Sequence, residues 1–213
     1  MIFVSISNTD IQKCAELIEK YRTVELRLDL IKPDIEELPL LISKAETSIC
    51  TYRTSDEPKK SLQYILSAIE YGTDVIDFSL SKPKEDIEEV ASFCRSNNTK
   101  FMLSYHNFES TPDTEYLEGL INEADAYQPD MIKIACLANS DEDNDRLLEL
   151  MKLNERIITV PMGQTGIKGR LKAYFYGTPV VYAYPDGEKP TAPGQLAFSE
   201  YKDMDKILSI INR

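Results

Sequence analysis

From one end to the other, the chain alternates between short runs suited to β-strands and longer stretches suited to helices. That alternation leaves few folds open. Runs rich in Val, Ile, Phe and Tyr fall at Ile2–Ile6, Val24–Leu30, Ser48–Arg53, Val75–Leu80, Lys100–His106, Met131–Leu137, Arg156–Met162 and Pro179–Tyr184. Helical signals follow them. Asn8-Thr9-Asp10 can cap Ile11–Tyr21, Asp34 opens Ile35–Ala45, and a helix from about Lys60 closes at Glu70-Tyr71-Gly72. Thr111-Pro112-Asp113 starts another, and Ser140 with Asp143 has capping-box spacing. A regular strand–helix alternation demands parallel strands with crossover helices. Eight such units suit a closed (β/α)8 barrel, with an open doubly wound sheet as the rival. No GxGxxG follows the first strand, which weakens the dinucleotide-binding form of that rival. No low-complexity linker divides the chain, so one domain over 1–213 is expected.

Composition removes several function classes. With 24 basic and 36 acidic residues the net charge is −12, which argues against a broad nucleic-acid or anionic-membrane surface. No apolar run approaches the ~20 residues of a membrane span. The opening MIFVSIS lacks the basic start of a signal peptide. Cys14, Cys50, Cys94 and Cys136 stand singly, and His106 is alone, so zinc is not expected. A cytoplasmic protein with reduced thiols is the expectation. The acidic excess, as in the 141–145 run, reads as solvated outer helix faces.

The strands carry the functional signal. In Val24–Leu30, Leu26, Leu28 and Leu30 share one face, and Glu25, Arg27 and Asp29 the other, which points into the barrel. Barrel interiors are normally filled by Val, Ile and Leu, so inward charges need a wet end, and the C-terminal mouth is that end. Arg53, Asp77, Ser104, His106 and Lys133 reach the same mouth from other strands. A buried lysine loses hydration, which lowers its pKa and frees the amine to attack a carbonyl. The structural alternative for Lys133 is an ion pair with an inward acid such as Asp77, and for His106 a satisfied core histidine. Arg27, Arg53 and Arg170 imply an anionic substrate, with guanidinium forks suited to carboxylate. Gly163, Gly166 and Gly169 resemble a phosphate cradle only loosely, because the GK[ST] ending is missing.

Taken in order, Glu25-Leu26-Arg27-Leu28-Asp29, Thr51-Tyr52-Arg53 with Glu57, Ser104-Tyr105-His106-Asn107-Phe108, Ile132-Lys133-Ile134-Ala135, Met162-Gly163 through Gly166 to Arg170, and Ala192-Pro193-Gly194-Gln195 resemble the type I 3-dehydroquinate dehydratases. The resemblance implies a (β/α)8 TIM barrel that dehydrates 3-dehydroquinate to 3-dehydroshikimate, without a cofactor, in the shikimate pathway toward chorismate and the aromatic amino acids. It implies Lys133 as the imine-forming nucleophile, His106 as general base and acid, and Glu57 as the residue that orients His106. It also implies that Arg170, Gln195 and Thr191 hold the substrate carboxylate, that Glu25, Arg27 and Arg53 hold the ring hydroxyls, and that Ser5 contributes from the first strand. A homodimer is implied as well. Thr191 stands where a serine is usual, Ser79 where the fourth strand often carries glutamate, and Asn107 for a frequent aspartate. The rival readings are a Schiff-base sugar-phosphate aldolase barrel and a non-catalytic ligand-binding barrel.

Overall fold

In β-strands successive side chains point to opposite faces, and this chain uses both faces for packing. Phe3, Ile49, Val75, Met102 and Ile158 form one buried cluster, while their chain neighbours Val4, Cys50, Ile76, Leu103 and Ile157 belong to another. A sheet buried on both sides must be covered outside by helices and filled inside by its own residues, which is the barrel arrangement.

The computed structural model describes residues 1–54 and 57–211. Its elements run β1 (Ile2–Ile6), α1 (Ile11–Tyr21), β2 (Thr23–Arg27), α2 (Leu28–Ile31), α3 (Leu38–Ser43), β3 (Thr47–Thr51), α4 (Pro58–Glu70), β4 (Val75–Ser79), α5 (Lys84–Ser96), β5 (Lys100–Asn107), α6 (Thr114–Asp125), β6 (Met131–Leu137), α7 (Asp141–Leu150), β7 (Ile157–Met162), α8 (Gly163–Phe175), β8 (Val181–Tyr184), β9 (Leu196–Ala197) and α9 (Phe198–Ile211). The strands pair in parallel in the order β7-β6-β5-β4-β3-β2-β1-β8-β9. Among the described residues β7 and β8 share no hydrogen-bonded ladder. They meet through side chains instead: Ile158 of β7 packs in one cluster with Val180 and with Tyr182 of β8. Pro161 in β7 has no N–H to donate, as befits a strand at such a seam. Among the described residues no helix is long and apolar enough to cross a membrane.

Several local expectations hold. Asp10 caps α1 by accepting from Gln12 N and Lys13 N, and Ser140 with Asp143 forms the reciprocal box at α7. Others need correction. The second strand stops at Arg27, because the chain turns into α2 and Asp29 folds back to accept two hydrogen bonds from Arg27, at 3.0 and 2.9 Å. Asp29 is therefore buried beside the strand end rather than on its inward face. The stretch 35–45 is a 3-10 turn (Ile35–Glu37) followed by α3, broken where Pro39 enters the first turn. Arg53 lies just beyond β3, and the short β9 was not expected.

The three glycines of α8 serve packing. A Cβ on Gly166 would stand 2.7 Å from the Pro161 carbonyl carbon, and one on Gly169 2.3 Å from Asn144 Oδ1. Their absence lets α8 lie directly on β7, which brings Arg170 Nε to the Pro161 carbonyl oxygen at 2.8 Å.

Candidate active site

The C-terminal ends of the strands open into a cavity of about 120 Å³. Its walls include Ser5 from β1, Glu25 and Arg27 from β2, Arg53 beyond β3, His106 from β5, Lys133 from β6, Arg170 from α8, and Thr191 and Gln195 from the segment before β9. Of the site residues expected from the sequence, Glu57 alone is not on the wall. It sits at the start of α4, accepts from the Tyr52 hydroxyl at 3.2 Å and pairs with Lys60 at 3.3 Å. Sequence reasoning missed Tyr182, Phe108 and Val160, which also face the cavity. For Tyr182 and Val160 the signal was present as strand parity with the inward residues.

Lys133 is only 4% exposed, and its ammonium pairs with Asp77, which is 1% exposed. Asp77 Oδ2 also accepts from Arg53 at 2.8 Å, while its Oδ1 has no hydrogen-bond partner among the described residues. Burial alone would raise the Asp77 carboxyl, but Arg53 and Lys133 pull it well below the usual range. Burial lowers the Lys133 amine, and the Asp77 charge offsets only part of that. The ion pair foreseen as a structural role and the lowered amine foreseen as a chemical one therefore occur together. Lys133 Nζ also stands 4.7 Å from the centroid of the Tyr182 ring.

Half-buried His106 meets Arg53 at 3.2 Å through Nδ1. A guanidinium only donates, so this contact is a hydrogen bond when Nδ1 is unprotonated. Burial, then Arg53 and Lys133, hold the imidazole well below its ordinary pKa, so it is neutral at pH 7. Phe108 stacks on the ring at 6.0 Å between centroids. Burial pushes the Cys50, Cys94 and Cys136 thiols up to about 12, which removes them as nucleophiles.

On the opposite wall a relay of hydrogen bonds ties the last loop to the barrel. Gln195 Oε1 accepts from Thr191 N and Oγ1 at 2.8 and 2.9 Å, and Gln195 Nε2 donates to Ser5 Oγ at 3.0 Å. Ser5 in turn donates to Glu25 at 2.6 Å, and Thr51 donates to the other Glu25 oxygen at 3.2 Å. The loop is pinned where Gly163 N donates to Pro193 O at 3.1 Å. Gly194 makes this approach possible: its φ is +75°, and a Cβ there would stand 2.3 Å from Gly163 O. Arg170, 5% exposed, has no carboxylate partner among the described residues, and burial lowers its pKa. Among the described residues in and around the cavity, Arg27, Arg53, Lys133 and Arg170 stand against Glu25, Asp29 and Asp77, four cations to three carboxylates.

That constellation can be set beside known proteins. The family model for type I 3-dehydroquinase matches residues 2–212. The chain belongs to this family. It is 32% identical over 206 residues to a 3-dehydroquinate dehydratase of Pyrococcus abyssi, covering 91% of this chain and 93% of that protein. The crystal structure of the Geobacillus kaustophilus 3-dehydroquinate dehydratase superposes with a TM-score of 0.86 at 23% identity, covering 100% of this chain and 92% of the other. The Aquifex aeolicus 3-dehydroquinate dehydratase gives 0.82 at 27% identity and 97% coverage of both chains. The fold is thus the TIM barrel of the type I 3-dehydroquinases, and the missing β7–β8 ladder is a feature of its seam.

The departures from the family pattern have local accounts. Thr191 supplies the hydroxyl that a serine would. Asn107 Oδ1 accepts from Glu109 N and Ser110 N, closing the turn after β5, as an aspartate could. Ser79 bonds to Ser81 at 2.9 Å and lies off the cavity wall.

Proposed function

We infer that this chain is a hydro-lyase that converts 3-dehydroquinate to 3-dehydroshikimate in the shikimate pathway, through an imine on Lys133. The observation that carries the reading is the buried Lys133 amine, with lowered pKa, on the wall of a cavity that also holds Arg170, which has no carboxylate partner among the described residues. An anionic substrate restores the charge balance: its carboxylate meets Arg170, with Gln195 and Thr191 beside it. Glu25, Arg27, Arg53 and Ser5 hold the ring hydroxyls.

The Lys133 amine attacks the C3 ketone, and the carbinolamine loses water to give an iminium. The iminium draws electrons from the adjacent C–H, so His106 can remove the C2 proton to form an enamine. The enamine expels the C1 hydroxyl, which leaves as water with the proton His106 holds. Hydrolysis of the conjugated iminium then frees product and lysine, so one water is lost overall. For the base step Nε2 needs the free lone pair, which in the reacting complex puts the imidazole proton on Nδ1, opposite an acceptor rather than the Arg53 donor it meets at rest. We assign that acceptor to Glu57, displacing Arg53 from Nδ1. The exchange gives up an exposed ion pair with Lys60, worth about 0–1 kcal/mol, the hydrogen bond from Tyr52 and the Arg53–Nδ1 contact. Glu57→Gln is expected to lower kcat about 10-fold, less than the roughly 10²- to 10⁴-fold of a lost acid–base group because the imidazole itself remains, while KM holds. An unchanged kcat would remove Glu57 from the site.

The test is incubation with 3-dehydroquinate and borohydride, followed by peptide mass spectrometry, beside an ultraviolet assay for the conjugated product. A reduced adduct on Lys133 with turnover is the expected result. No adduct and no turnover in folded protein would overturn the reading. Arg170→Ala should raise KM about 100-fold, as loss of a charge-assisted hydrogen-bonded pair worth ~3 kcal/mol would. An unchanged KM would place the carboxylate elsewhere. A cytoplasmic setting is supported by four buried free cysteines. A homodimer is expected from the family resemblance, and sedimentation would read it directly.

A further inference from the structure

Tyr182 has no part in the scheme above, yet the reacting nitrogen stands over its ring, 4.7 Å from the centroid. It lies on β8, the strand across the seam from β7, and its ring is buried among Phe3, Ile49, Met102 and Ile158. Its hydroxyl points at Met102 Sδ, 3.5 Å away, and one face looks into the cavity beneath Lys133 Nζ. The ring is held on its edges by packing, so that face is fixed.

We propose that the face of Tyr182 supports the positive charge of the Lys133 nitrogen during imine formation, which makes it a positioning residue for that step. The proposal rests on Lys133 being the imine-forming residue. The resting ammonium has three N–H bonds to share, but the iminium formed from it has one. Asp77 can keep that one hydrogen bond, and the other two are gone. An aromatic face attracts the cation through its quadrupole and needs no N–H, so its support survives the change from ammonium to iminium. Other groups around Nζ divide by sign: Asp77 from β4 and Glu25 from β2 favour the charge, while Arg53 beyond β3 opposes it. His106 from β5 stays neutral and leaves the balance to these groups and the ring.

The test compares Tyr182→Phe and Tyr182→Leu by borohydride trapping of 3-dehydroquinate on Lys133 across pH. The phenylalanine variant keeps the ring face and should trap within about 2-fold of the parent. The leucine variant keeps apolar bulk but loses the face, and trapping should slow about 10- to 30-fold, the range of a desolvated cation–π contact. Its rise with pH should also move to lower pH, because the ammonium loses support and gives up its proton sooner. A general packing defect would lower the amplitude without that shift. Should leucine unfold the chain, site-specific replacement by phenylalanines of increasing fluorination weakens the ring face at nearly constant shape, and trapping should fall step by step. Parent-like trapping in the leucine variant, or no dependence on fluorination, would overturn the proposal while leaving the imine mechanism intact. No adduct in the parent chain would overturn the mechanism, and this proposal with it.

Discussion

Lys133→Ala is expected to abolish turnover, lowering kcat/KM roughly 10⁵-fold or more, the scale seen when a covalent nucleophile is removed. Nothing nearby can replace it. Lys133 is the one lysine on the cavity wall among the described residues. The arginines there do not give up a proton to become nucleophiles. The same substitution also separates the two roles the residue holds. As a structural partner, Lys133 shares Asp77 with Arg53, so its loss leaves that carboxylate one cation rather than none. The stability cost should therefore fall below the 3–5 kcal/mol typical of a broken buried pair. A thermal melt beside the assay reads both. A folded variant without turnover and without borohydride adduct fits the nucleophile. A destabilised variant that still turns over would reduce Lys133 to a structural ion pair.

The barrel was legible because its determinants are local and periodic. Parity on Ile132-Lys133-Ile134 forces the lysine inward once both isoleucines are packed under helices, and the buried cluster contains both. The same rule placed Glu25 and His106. It misled at Asp29, because two hydrogen bonds from Arg27 end the strand before parity can reach that residue. Glu57 was placed by resemblance alone, on a segment whose contacts depend on which partner its carboxylate takes. Neither periodicity nor spacing records that choice. Tyr182 escaped notice because an inward aromatic low in a barrel reads as filler. Its place on the cavity wall and its 4.7 Å approach to Nζ distinguish it from Phe3 or Met102. The seam between β7 and β8 was also invisible, since Pro161 within a strand marks an edge without saying what faces it.

His106→Ala should behave differently from the lysine variant, and the contrast assigns the chemistry. The amine is intact, so the imine should still form, while proton removal from C2 loses its base. Turnover is expected to fall about 10³-fold, within the range for general acid–base catalysis. Borohydride should then trap at least as much adduct on Lys133 as in the parent chain, because the imine accumulates before the blocked step. The pH profile supplies an independent check. The histidine must be neutral to accept a proton, and burial beside Arg53 and Lys133 holds its pKa well below 6.5. kcat/KM, which reports the free enzyme, should thus stay level as pH drops through 6.5 and decline only further down. An acid limb centred at or above 6.5 would mean that the group titrating is not this imidazole in its present surroundings. Loss of the adduct along with turnover would move His106 to the imine-forming step. Near-parent turnover would leave the C2 proton to another group, and no other neutral base among the described residues lines the cavity.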